Sequence, residues 1–221
     1  MKVSRRLWAV MLGYTILMVA VTILCSPLGF RILTYNEMGF SVDTLVPGIL
    51  IGLIVAVLLG AGERLPIPIR RRMYRDVKTT QQFYDMWKVQ MIGGYDGFIA
   101  EPFWSGTILV LGLKLFSYFG LLYPIVLVLA VVLRWLLHIF SHFVFPSVEH
   151  GHRAFGDMVF TSIGLLILDA ISSTAFLLSG SILAPIIIHT FMQMFSQLFG
   201  VREKILRELN LEPMQSVGAE K

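Results

Sequence analysis

The chain has 221 residues, of which 56% are hydrophobic and only 14% charged, with a mean hydropathy of +0.76. Soluble domains carry about 25% charged residues, so this composition excludes a soluble globular protein and reads as a membrane protein. The formal charge of +4 does not point to nucleic acid, which needs a soluble basic face; here the basic residues sit in short segments between apolar runs.

Apolar stretches long enough to cross about 30 Å of hydrocarbon recur six times, at 7–24, 45–62, 98–116, 121–145, 155–178 and 182–199. The first follows Lys2, Arg5 and Arg6, as a secretory signal would. Its apolar run is longer than the roughly 7–15 residues of a signal core, and no small-residue cleavage site follows. Leu24 before Cys25 also does not suit a lipoprotein site, so an anchored helix is expected. Cys25 is the single cysteine and forms no internal disulfide, leaving the redox compartment open. With six spans and short connections, the whole chain reads as one all-α membrane domain.

Between the second and third spans lies a basic segment, 63–96. Within it, TTQQFYDMWKVQM opens with Thr79 and Gln82 at capping-box spacing, and Phe83, Trp87 and Met91 recur every fourth residue. This pattern predicts an amphipathic helix on the inner membrane surface, with Arg70–Arg72 facing anionic lipid. A cytoplasmic helix packed on its own domain fits the same pattern. The tail, 201–221, contains a second short amphipathic stretch, REKILRELNLEP.

Charge placement predicts the orientation. The N-terminus, the 63–96 segment, the fourth connection and the tail together hold fifteen of the eighteen Lys and Arg residues, and six crossings put all of them on one side. Positive segments stay inside, so both termini are expected in the cytoplasm, the host membrane being the cytoplasmic membrane of a prokaryote.

Ionisable groups in hydrocarbon are costly and face a bundle interior or a water-filled cavity. Glu101 lies just inside the cytoplasmic end of the third span. Arg134, His138 and His142 follow at i, i+4 and i+8 on the fourth, which places them on one helical face. Asp169 is near the middle of the fifth, and His189 and Gln193 share a face of the sixth. One such residue reads as a satisfied core group, whereas convergence from several helices reads as a site. His138 and His142 have the spacing of a zinc helix, but Ile139 stands where a zincin needs its glutamate. A divalent metal such as zinc, held by His138 and His189, stays open, and no organic cofactor is implied. A glutamate and a histidine on adjacent helices activate a water between them; a second histidine with a neighbouring amide stabilises the oxyanion. Glu101, His138, His189 and Gln193 supply those parts. A transporter using Arg134, Asp169 and His189 as a proton relay is a further reading. His150 and His152, in the EHGH stretch, read as solvated loop residues.

AEPFWSG, followed by LRWLLH and then by FLLSGSILAPIIIHTFMQ, resembles the CPBP intramembrane endopeptidases, which include CAAX prenyl endopeptidases and bacteriocin-processing proteins. The family motifs are EExxxRG, FxxxH and HxxxN on successive core helices, and the resemblance covers roughly 97–199. It implies a four-helix core at 97–200 and cleavage of a peptide bond near the cytoplasmic face by Glu101, His138, His189 and Gln193. The substrate would be a peptide or a prenylated protein. The sequence departs from the family at Ala100 in place of the first glutamate, at Ser105 in place of the arginine, at Arg134 in place of the phenylalanine, and at Gln193 in place of the asparagine. Two expectations follow: an active peptidase, with Arg134 supplying the lost cation from the facing helix, or a catalytically silent relative serving as a subunit of a membrane complex.

Overall fold

The computed structural model describes residues 5–59, 79, 97–144, 155–198 and 206–207. Among them are six long helices and no strand: α1 Arg5–Cys25, α2 Leu45–Leu59, α3 Gly97–Tyr118, α4 Tyr123–Val144, α5 Phe155–Ser179 and α6 Leu183–Leu198. The predicted interfacial helix, the tail beyond residues 206–207, His150 and His152 lie outside the described residues.

Among the described residues, four helices are long and apolar enough to cross a membrane, at Val42–Leu59, Gly97–Tyr118, Tyr123–Ser141 and Ser162–Ser179. The apolar part of α1 is shorter, Leu12–Cys25. As described, α6 has 16 residues and rises about 24 Å at 1.5 Å per residue. Among the described residues the fold is therefore an all-helical bundle with four candidate membrane crossings.

Small residues set how α2 packs. Gly48, Gly52 and Ala56 recur every fourth residue and are its buried positions, so they form one stripe that lets backbones approach closely. The stripe lies on the start of α6, where a Cβ added at Gly48 would sit 2.6 Å from Ser181 Cβ and one at Gly52 would sit 3.1 Å from Ala184 Cα. Most other α2 side chains, among them Val46, Leu50, Ile54 and Val57, point outward, as a lipid-facing surface requires. Deeper in the bundle, Gly112 of α3 meets Ala130 of α4, and Trp135 Nε1 donates to Ser162 O at 2.8 Å, tying α4 to α5.

The α5–α6 turn follows from its residue types. Gly180 adopts a φ of 65°, the left-handed conformation that ends a helix and that glycine adopts most readily. Ser179 Oγ accepts from Ser181 N, and Ser181 Oγ accepts from Leu183 N, so two serine hydroxyls serve amides at the junction.

The loop between α1 and α2 folds back over the bundle. Thr34 N donates to Glu37 Oε2 at 2.7 Å and Glu37 N to Thr34 Oγ1 at 3.2 Å, a reciprocal cap. Leu33 and Met38 are buried, and Ile182 N donates to Gly39 O, which anchors the loop to the start of α6. Lys114, a cation in an apolar helix, reaches out of α3 to Glu37 Oε1 at 2.8 Å and donates to Ile32 O at 2.9 Å. Such snorkelling keeps the charge in a polar layer.

The hydrogen bond from Lys114, followed by the Thr34 amide, holds the Glu37 carboxyl below its ordinary value. A depressed carboxyl contributes stability above its unfolded pKa of about 4.3 and loses it as pH falls through the folded value. Lys114→Met should therefore destabilise the protein slightly at neutral pH, by no more than about 1 kcal/mol for so exposed a pair. The difference from wild type should shrink below about pH 4. Melting curves in detergent at pH 7 and below pH 4 test this, and a deficit that does not depend on pH would contradict it.

Candidate functional site

Pro102 sits six residues into α3, past the first turn, where its ring and missing N–H disturb the helix ladder. The helix widens to a π-turn over Trp104–Leu109, and Thr107 Oγ1 donates to Pro102 O at 3.1 Å, meeting one of the carbonyls displaced there. Such turns concentrate at functional sites. Here the widened turn buries Trp104 and Ser105 beside Glu101.

Arg134 of α4 is the hub. Its guanidinium is 0% exposed and contacts two acids from two helices. Nη2 donates to Glu101 Oε2 at 3.2 Å and Nε to Asp169 Oδ1 at 3.0 Å. Nη1 donates to Ser105 Oγ at 2.6 Å and to Ser173 Oγ at 3.2 Å. Ser105 in turn donates to Glu101 Oε2 at 2.6 Å. An isolated charge at this depth is expensive; pairing with two carboxylates and two hydroxyls is what permits it.

Each acid also holds an imidazole. His189 Nδ1 lies 3.0 Å from Glu101 Oε1. His138 Nδ1 lies 3.0 Å from Asp169 Oδ1 and 3.1 Å from Oδ2. The Trp104 ring stacks on His138 with centroids 4.8 Å apart and planes at 29°, which fixes the plane of the imidazole. Both histidines lie at the edge of the cluster, 5% and 7% exposed, whereas Glu101, Arg134 and Asp169 are at most 1% exposed.

The structure thus brings Glu101, Arg134, His138, Asp169 and His189 together from α3, α4, α5 and α6. His142 and Gln193 belong to α4 and α6, but their side chains lie outside the described residues. Glu101 stands against His189, and the carboxylate beside His138 is Asp169. Ser173 and Trp104 also join the cluster. Ser173 follows Asp169 at i+4 and so lies on the same face, a signal that was legible. The stacking of Trp104 depends on the π-turn and was not.

The space between Glu101 and Asp169 does not suit a divalent cation. A guanidinium already occupies the space between the two acids and would repel a metal there. Among the described residues, no group of three or more His, Cys, Asp or Glu side chains is arranged to hold a metal ion. Comparison with family models, curated proteins and solved structures returns no match.

Proposed function

We propose that the protein is an intramembrane endopeptidase of the CPBP kind, cleaving a peptide bond near the cytoplasmic membrane face. The observation that carries this reading is the pair of imidazoles, each held through Nδ1 by a buried carboxylate, at the edge of one polar cluster inside an apolar bundle. Oriented imidazoles of this kind serve acid–base chemistry and stabilise developing charge. The sequence resemblance points the same way, and the Arg134 guanidinium lies against Ser105, the position at which the family carries its arginine. The substrate class that goes with this reading is a peptide or a prenylated peptide. The accompanying topology is six crossings with the basic segments inside.

One observation favours a second reading, a silent relative that stabilises a membrane complex. Arg134 engages both carboxylates, as a purely structural ion-pair network would. A single experiment separates the two. Full-length protein in phospholipid vesicles of known orientation is given quenched fluorescent peptides, with and without a farnesylated cysteine. Cleavage is expected only when peptide meets the face carrying the basic segments. It should fall at least about 10²-fold in His138→Ala and His189→Ala. Cleavage from the opposite face would overturn the topology. No cleavage of any peptide, together with a stoichiometric membrane partner in the purified sample, would replace the peptidase reading with the second.

A further inference from the structure

The two imidazole–carboxylate pairs are not equivalent. Glu101 accepts from Ser105, Arg134 and His189, with both oxygens shared among three donors. Asp169 accepts from Arg134 through Oδ1 alone, and His138 Nδ1 is within reach of both of its oxygens. A carboxylate in an ion pair can only accept, so the proton of a neutral His138 ring lies on Nδ1 and its basic nitrogen is Nε2. The Trp104 stack holds that ring in plane. Against this ring the structure sets Asp169 from α5 and Trp104 from α3, and Arg134 of α4 shares Asp169 Oδ1 with it.

Resting on the peptidase reading, we propose that Asp169 and His138 form a general-base dyad. Asp169 is the positioning residue, and it supplies from α5 the carboxylate that Ala100 does not provide from α3. His138 Nε2 takes a proton from water as the water oxygen bonds to the peptide carbonyl carbon and the carbonyl π pair moves to its oxygen. When the intermediate collapses, the C–N bond breaks and the proton passes from Nε2 to the leaving nitrogen. The products are a carboxylic acid and an amine, with no other reactant.

The test joins an activity readout to one independent of activity. With the same peptides in vesicles, Asp169→Asn should lower kcat by about 10²–10⁴-fold with KM within about threefold, because an amide cannot hold the required tautomer. Asp169→Glu should recover part of the loss. Nitrogen-15 NMR of histidine-labelled protein in micelles should show His138 protonated at Nδ1 in wild type and displaced from that tautomer in Asp169→Asn. If Asp169→Asn does not fold, Asp169→Ser, which likewise leaves Arg134 paired with Glu101, carries the same measurements. A variant with kcat within about threefold of wild type, or wild-type His138 protonated at Nε2, overturns the dyad and leaves the peptidase reading standing. A wild-type protein that cleaves no peptide overturns that reading, and the catalytic role of the dyad with it.

Discussion

Arg134→Phe is expected to be the most damaging single substitution in the bundle, although phenylalanine suits a membrane helix better than arginine. Arg134 is fully buried and paired with Glu101 and Asp169. Removing it leaves two carboxylates within one low-dielectric cluster, with Ser105, Ser173 and the two histidines as their remaining neighbours. Breaking a buried pair by deleting one partner costs about 3–5 kcal/mol, because the surviving charge is left uncompensated; here two charges survive. At about 2–4 °C per kcal/mol for a chain of this size, the melting temperature in detergent should drop by roughly 6–20 °C. The triple variant Arg134→Phe/Glu101→Gln/Asp169→Asn removes every formal charge of the core and should recover much of that loss. Recovery in Arg134→Phe/Glu101→Gln but not in Arg134→Phe/Asp169→Asn would identify Glu101 as the dominant partner, and the converse would identify Asp169. An unchanged melting temperature in Arg134→Phe would contradict the whole ion-pair description.

The second large effect is expected at the α2–α6 contact. A Cβ at Gly48 would lie 2.5 Å from Ser181 Oγ and 2.6 Å from Ser181 Cβ. Ser181 is itself fully buried and accepts from Leu183 N at the start of α6. Gly48→Val therefore cannot be absorbed by a flexible side chain; it must push α2 off α6 or break the hydrogen bond at the start of α6. Overpacking of this kind costs about 1–3 kcal/mol and sometimes more, and losing the serine acceptor adds about 1 kcal/mol. Gly164→Ala is the matched control: nothing lies within 4 Å of the added Cβ on the outer side of α5, so it should be neutral or slightly stabilising. Melting curves of both variants decide the matter. Equal tolerance at the two positions would mean that α2 does not rest on α6 through this stripe. Because His189 lies on α6 beyond the contact, Gly48→Val should also weaken any hydrolysis.

Much of this protein was legible in its residue pattern. The apolar runs mark the helices because hydrocarbon tolerates little else over that length. The polar residues within them stand out for the same reason: Glu101, Arg134, His138, Asp169 and His189 have no inexpensive place in lipid, so they must meet in the interior. The i, i+4 spacings put Arg134 with His138 on one face of α4. The Gly180 turn and the serines flanking it could likewise be read from residue types, because the left-handed backbone and the amide acceptors are local requirements.

What the pattern did not contain is which groups touch. Helical periodicity places a side chain on a face of its own helix but says nothing about the rotation and separation of that helix relative to its neighbours. Glu101 could have met either histidine; the π-turn after Pro102 and the packing of α6 set it against His189, and the depth of Asp169 on α5 gives His138 its partner. The docking of Leu33, Met38 and Gly39 onto the bundle and the reach of Lys114 to Glu37 are equally tertiary, since each joins segments far apart in the chain. Composition and periodicity determined by themselves that this chain forms apolar helices with a buried polar cluster, because those follow from solvation of single residues. The pairing inside the cluster was decided by the tertiary structure, because contact distances of about 3 Å depend on helix positions that no local signal encodes.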